Sequence, residues 1–228
     1  VPFHKADAFS GDQPATMADF FDVEKFPGKR GIHTWASAIT EMALYADGVA
    51  IEDIYDVLGT QAGQDRAFAK LDTIKDHVVF WSAGSKPLDL VNSGEVSMSL
   101  AYNGRIGGAV LNDGADYVTV WDGQVLEEEW LVLLKGAPNR AAAMHFLVHA
   151  SSSQAQADQA KWINYGPMRT SGLDIMQAGE PWFNTGVSIM EHMPNTPEHM
   201  AGGILANPDF WADSGQAIND RYAAWMAQ

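Results

Sequence analysis

Residues 77–121, HVVFWSAGSKPLDLVNSGEVSMSLAYNGRIGGAVLNDGADYVTVW, decide the fold class. His77-Val-Val-Phe-Trp81 is a short, nearly continuous apolar run of strand character, and Glu95 to Tyr102 alternates as a strand with one buried face does. Between them Pro87 to Asn92 reads as a short helix that ends near Gly94. A helix enters at Asn103-Gly104, and Tyr117-Val-Thr-Val-Trp121 is a third strand. Helix and strand therefore alternate, which predicts an α/β lobe with its sheet covered on both sides. Working upstream, Ser37 to Tyr45 has helical spacing and stops at Asp47-Gly48. Ile51 to Leu58 follows as a short helix, and Gln64 to Lys75 carries Phe68, Leu71 and Ile74 on one face. The first thirty residues are turn-rich, with one helical turn at Met17-Ala-Asp-Phe-Phe-Asp22, and read as a connector. Downstream, Trp130-Leu-Val-Leu-Leu134 reads as a further strand and Asn139 as the N-cap of a helix over 140–150. Ser151-Ser-Ser153 caps a helix over 154–162. Residues 164–207 read largely as loop, and Phe210 to Met226 is a closing helix with an Ile218, Tyr222, Trp225 stripe.

The chain of 228 residues is 46% hydrophobic and 19% charged, with 8 Trp and 10 Phe, which excludes disordered, collagen-like and coiled-coil classes. Fourteen Lys+Arg against 29 Asp+Glu leave a net charge of −15. So acidic a surface repels phosphate backbones and anionic lipid headgroups and attracts cations. The absence of cysteine removes thiol nucleophiles and thiolate metal sites. No stretch approaches the roughly 18 consecutive apolar residues of a membrane span. Residues 1–30 lack the pattern of an export signal. The chain begins Val-Pro-Phe rather than Met, which leaves room for a segment removed upstream. There is no internal repeat and no low-complexity tract.

Several chemistries compete. His145 and His149, four apart on a helix, face one another and could share a zinc, but a catalytic zinc needs a third ligand and no Glu stands between them. His192 and His199 are weaker candidates in a Pro-rich loop. Ser82-Ala-Gly-Ser85 lacks the glycine pattern of a nucleophile elbow. Neither phosphate-loop glycine pattern occurs. Glu127-Glu-Glu129 reads either as a solvated turn or as paired carboxylates. The aromatics Trp35, Trp81, Tyr102, Trp121, Trp130, Tyr165, Trp182 and Trp211 fall mostly at element ends, where α/β sheets place ligand crevices. Each alone could be core. Together they favour a binding cleft, and aromatic faces beside carboxylates suit an ammonium ion.

Asp19-Phe-Phe-Asp-Val-Glu-Lys-Phe-Pro-Gly-Lys-Arg30 resembles a segment of bacterial extracellular solute-binding proteins of the spermidine/putrescine class, the receptors of ABC importers. Glu41-Met-Ala-Leu-Tyr-Ala-Asp-Gly-Val49, Asn92 to Arg105, Lys135-Gly-Ala-Pro-Asn139, Ile163-Asn-Tyr-Gly-Pro167 and the segment from Phe210 to Trp225 continue the resemblance in the family's order. Members of the class carry about a hundred further residues upstream, the size of a small domain. The resemblance therefore implies an α/β, two-lobe periplasmic-binding-protein-like fold (type II) whose first lobe is incomplete in this chain. Residues 18–121 with 184–228 would form the second lobe. Residues 1–17 and 128–183 would supply the rest of the first lobe and the hinge crossings. Lobe closure around a solute would create the form that the permease recognises.

Residue by residue, the resemblance places Tyr102 where polyamine binders carry a stacking aromatic, with Asn103 beside it. It sets Glu129 at or next to their amine-binding acid, with Trp130 adjacent, and Tyr165 at a loop aromatic. Trp35 and Ala38 fall where those binders carry a carboxylate pair. The missing pair argues against spermidine itself and for a smaller amine, a quaternary or aromatic ligand, or an amino-acid derivative. Trp211 completes the set of ligand-binding candidates. The implied protein is a monomeric periplasmic receptor with no catalytic activity and no cofactor. Its partners are a small amine-bearing solute and ABC permease subunits, not nucleic acid. The alternatives are a metal-dependent hydrolase using His145 and His149, and an interaction protein without a ligand.

Overall fold

The computed structural model describes residues 1–228. Five strands, β1 (Pro2–Lys5), β2 (Arg30–His33), β3 (Val78–Trp81), β4 (Met98–Leu100) and β5 (Tyr117–Thr119), pair in the order β3-β2-β4-β1-β5. β2 runs parallel to β3 and β4, while β1 is antiparallel to β4 and β5. Every residue of β2 and β4 is buried, so both faces of these strands are covered, as a parallel sheet core requires. Their close approach depends on Gly31. A Cβ there would lie 2.2 Å from Ser99 Oγ, whose hydroxyl donates to the Gly31 carbonyl at 3.1 Å.

Helices α1 (Met17–Phe21), α2 (Ile39–Ala46), α3 (Ile54–Leu58), α4 (Gln61–Asp72), α5 (Lys86–Asn92) and α6 (Asn103–Asp113) accompany this sheet. α1 begins with a capping box, in which Thr16 accepts from the Asp19 amide and the Asp19 carboxylate accepts from the Thr16 amide. Next come β6 (Val125–Leu126), α7 (Arg140–Ala150), α8 (Ser153–Gln159), α9 (Thr170–Ala178), α10 (Pro197–Met200), β7 (Ile204–Leu205) and α11 (Pro208–Met226). β6 and β7 form a separate two-stranded parallel pair. A core of 30 buried residues joins Phe3, Ile32, Leu44, Trp81 and Met98 to Ile218, Tyr222 and Trp225, the expected α11 stripe. A second core of 7 residues gathers Leu111, Ala157, Ala160, Met176, Phe183, Ile189 and Met193.

Three expectations are corrected. Residues 2–5 are not connector but an inner strand, whose partners lie about a hundred residues away in β4 and β5. Phe3 of this strand packs in the larger core, while Ile189 and Met193 pack in the smaller one. Trp130-Leu-Val-Leu-Leu134 forms no strand. No neighbouring strand is there to close its backbone hydrogen bonds, and its apolar side chains are exposed. Residues 164–207 hold two helices and a strand, short elements whose Pro and Gly punctuation hides their periodicity.

Candidate functional site

Because β2, β3 and β4 are parallel, their carboxyl ends open at one edge of the sheet, where α/β folds form crevices. The residues at and just beyond those ends are aromatic. His33 closes β2 and stacks on Trp35, with ring centroids 4.2 Å apart and planes 10° apart. Trp81 closes β3 and sets its edge against both rings, at 5.5 Å and 5.3 Å. Tyr102, just beyond β4, meets Trp81 edge-on at 6.5 Å. His33 Nδ1 faces the Trp35 carbonyl at 2.8 Å, and burial holds its imidazole down to about 3, so the ring is neutral. Offset and edge-on geometry is what aromatic quadrupoles favour, which makes this cluster a rigid wall.

Tyr102 is also the N-cap of α6, and the next turn sets the neighbouring loop. Asn103 Nδ2 donates to the Asn164 carbonyl at 2.6 Å, and Asn164 Nδ2 returns a bond to the Asn103 carbonyl at 3.2 Å. One hydrogen of the Asn103 amide thus ties the loop down at Asn164. Tyr165 covers Gly104 so closely that a Cβ there would meet its ring at 2.5 Å. Partial burial raises both phenols above their usual range, and the Glu129 carboxylate adds to each. The acidic run therefore lies within electrostatic reach of both tyrosines.

The same run lines a cleft of about 350 Å³, together with Ala38, Glu41, Trp130 and Trp211. Glu127, Glu128 and Glu129 all border it, and none of its lining residues is basic. Desolvation raises the Glu127 carboxyl; the ammonium of Val1 opposes this, and repulsion from Glu129 adds a smaller part. Trp130 is 65% exposed and donates from Nε1 to Glu128 Oε2 at 3.3 Å. Glu41, from α2, is fully buried, and burial raises its carboxyl. Its Oε1 accepts from Trp211 Nε1 at 2.7 Å and from the Tyr55 hydroxyl at 3.1 Å. Tyr55 in turn accepts from the amide of Asn207, the N-cap of α11, at 2.9 Å. Ala38, between β2 and α2, holds φ at +68°, an uncommon backbone state for a residue with a Cβ.

The sequence-derived candidates thus fall into two neighbouring sets. Glu129, Trp130 and Trp211 meet in the cleft, and Trp35 and Tyr102 stand in the aromatic wall, with Tyr165 close to the acidic run. Asn103, next to Tyr102, bonds the loop at Asn164. Sequence reasoning passed over Glu41 and placed Trp81 only in the aromatic group that favours a cleft. The available signal for Glu41 was a lone acid in the otherwise apolar Ile39-Thr-Glu-Met-Ala-Leu44. The hydrolase alternative finds no support. His145 and His149 lie on α7, which has no buried residue, and no group of three His, Cys, Asp or Glu is placed to hold a metal.

Comparison with known proteins follows the same line. Residues 1–186 match the family described as bacterial extracellular solute-binding protein. The γ-aminobutyric acid-binding protein of Pseudomonas aeruginosa is 38% identical over 215 residues, covering 94% of this chain and 58% of that protein. The Atu4243-GABA receptor structure is 33% identical with a TM-score of 0.81, covering 100% of this chain and 66% of that one. An ABC transporter substrate-binding protein from Bradyrhizobium japonicum is 34% identical with a TM-score of 0.84, covering 99% and 67%. This chain therefore spans less than two thirds of the length of the curated relative it matches. The spermidine/putrescine resemblance is corrected to the level of fold. The Streptococcus pneumoniae spermidine/putrescine protein PotD is 10% identical with a TM-score of 0.66, covering 99% of this chain and 66% of that one.

Proposed function

Because the chain belongs to the bacterial extracellular solute-binding protein family, we propose that it forms the solute-holding part of an ABC-importer receptor. On this reading it works outside the cytoplasmic membrane and binds a small amine-bearing solute of the γ-aminobutyrate kind without turnover. The observation that carries the reading is the cleft itself. Four carboxyl groups and two tryptophans line it with no basic side chain, beside a wall of Trp35, Trp81 and Tyr102. An ammonium ion leaving water needs this combination, since carboxylate charge and ring quadrupole act in the same direction. Glu127 and Glu129 supply the charge, Tyr102 and Tyr165 the flanking rings, and Trp211 a wall. The relatives that carry γ-aminobutyric acid in their names support an amino acid over a polyamine. The two buried cores support division into two lobes, with permease recognition following their closure.

The test is a thermal-shift and calorimetric titration with γ-aminobutyrate, putrescine and tetramethylammonium. A ligand seen only by the folded state at a hundred times its Kd stabilises by about 2.7 kcal/mol. γ-Aminobutyrate is expected to raise the midpoint in wild type and to lose that effect in Glu127→Gln/Glu129→Gln and in Tyr102→Ala. Stabilisation by putrescine alone would move the solute class to diamines. No shift with any of the three would reject the cleft as an amine site.

A further inference from the structure

The Glu41 carboxyl group sits among three side chains, and the hydrogens around it can be counted. Trp211 Nε1 and the Tyr55 hydroxyl both donate to Oε1, at 2.7 and 3.1 Å. Oε2 lies 3.0 Å from Thr40 Oγ1. The Thr40 hydroxyl has one hydrogen, and it also lies 2.9 Å from the Ala36 carbonyl, the usual acceptor for a helical threonine. That hydrogen serves either the Ala36 carbonyl or Glu41 Oε2, and on Oε2 it joins Trp211 and Tyr55 as a third donor to the carboxyl group. Burial raises the Glu41 carboxyl, and the donors from Trp211, Thr40 and Tyr55 oppose that rise.

We propose that Glu41 is a positioning residue, which fixes the Trp211 indole as one wall of the cleft and ties the start of α11 to α2. The bond to Trp211 leaves the indole one orientation along the cleft. The second bond runs through Tyr55 to the Asn207 amide, so the N-cap of α11 is held by the same group. Ala206, Pro208 and Trp211, all from this stretch, border the cleft, so releasing Glu41 would loosen one whole side of it. The inference uses the cleft as the solute site, and its principal readout needs no solute.

Two variants separate positioning from simple support of the fold. Glu41→Gln reproduces the pattern, because its carbonyl oxygen accepts from Trp211 and Tyr55 while its amide donates to Thr40 Oγ1. Glu41→Met keeps the volume and removes every polar contact. The full chain labelled with 5-fluorotryptophan gives resonances for the 8 tryptophans, and Trp211 is assigned by its loss in Trp211→Phe. The expected result is a Trp211 resonance unmoved in Glu41→Gln, but shifted or split in Glu41→Met while those of Trp35, Trp81 and Trp225 stay in place. An unmoved Trp211 in Glu41→Met overturns the positioning role. Displacement in Glu41→Gln equal to that in Glu41→Met overturns the role of the oxygen that accepts from Trp211 and Tyr55. In the solute arm, Glu41→Met weakens γ-aminobutyrate about tenfold, the scale of one lost hydrogen bond, and adds nothing further to Trp211→Phe. Additive losses would count against the inference. If wild type binds no γ-aminobutyrate, the proposed solute fails while the fluorine result still decides the role of Glu41.

Discussion

Replacing Arg30 with methionine tests how the aromatic wall is held, because β2 delivers both His33 and the turn to Trp35. Arg30 is fully buried, and all its hydrogen bonds end on main-chain carbonyls. Nε reaches Phe20 at 2.7 Å, Nη1 reaches Gly28 at 2.8 Å, and Nη2 reaches Asp22 at 3.2 Å and Phe26 at 2.6 Å. The guanidinium is therefore the centre around which residues 20–28 wrap before entering β2. Methionine fills much of the volume and satisfies none of these carbonyls. The Phe20 and Phe26 bonds lie in buried surroundings, and each stranded acceptor there costs about 1–3 kcal/mol. Removing a desolvated charge, which Asp22 favours through its field, offsets part of that. The net expectation is a loss of about 3 kcal/mol, equivalent to about 6–12 °C in a chain of this size. Urea unfolding followed by near-ultraviolet circular dichroism measures it, with the m-value unchanged. Arg30→Lys should fall between, since one ammonium cannot span four carbonyls. A loss below about 0.5 kcal/mol for Arg30→Met, the scale of an ordinary surface change, would refute the reasoning.

Three further outcomes are expected. The His33 imidazole titrates at 6.5 when unfolded and is held down to about 3 when folded, so the folded state binds fewer protons between these values. Its contribution is complete above pH 6.5 and is lost as pH falls toward 3, with a slope of up to about 1.4 kcal/mol per pH unit. Urea titrations of wild type and His33→Gln should diverge in that window and run parallel above it. Gly104→Ala gains up to about 1 kcal/mol of helix propensity in α6 but drives its Cβ into the Tyr165 ring. Thermal stability should hold while amine affinity, read by calorimetry, weakens. Finally, Val132 and Val148 are each 70% exposed, and Trp130, Leu134 and Phe146 in the same two segments are exposed as well. Val132→Lys/Val148→Lys should cut binding of a hydrophobic dye and change stability by no more than about 0.5 kcal/mol.

Local pattern determined the α/β class, most helix positions and the Ile218, Tyr222, Trp225 stripe, because 3.6-residue and two-residue periodicities are written into neighbouring residues. It also set aromatics such as Trp35, Trp81 and Tyr102 at element ends, while the family resemblance singled out Tyr102, Glu129, Trp130 and Tyr165 as binding candidates. The tertiary structure alone decided what depends on partners distant in the chain. Pro2–Lys5 is an inner strand because β4 and β5 supply its hydrogen bonds. Trp130-Leu-Val-Leu-Leu134 has the residues of a strand but no neighbour to pair with, so it remains extended and exposed. Asn103 pairs with Asn164, 61 residues further on, a contact that only the fold creates. Glu41 reads in sequence as one more acid among 29. Burial from α3 and α11, and the donors those helices bring, turn it into a fixed internal contact. Burial, strand pairing and the partner of each polar group arise between segments far apart in sequence, where no local periodicity records them.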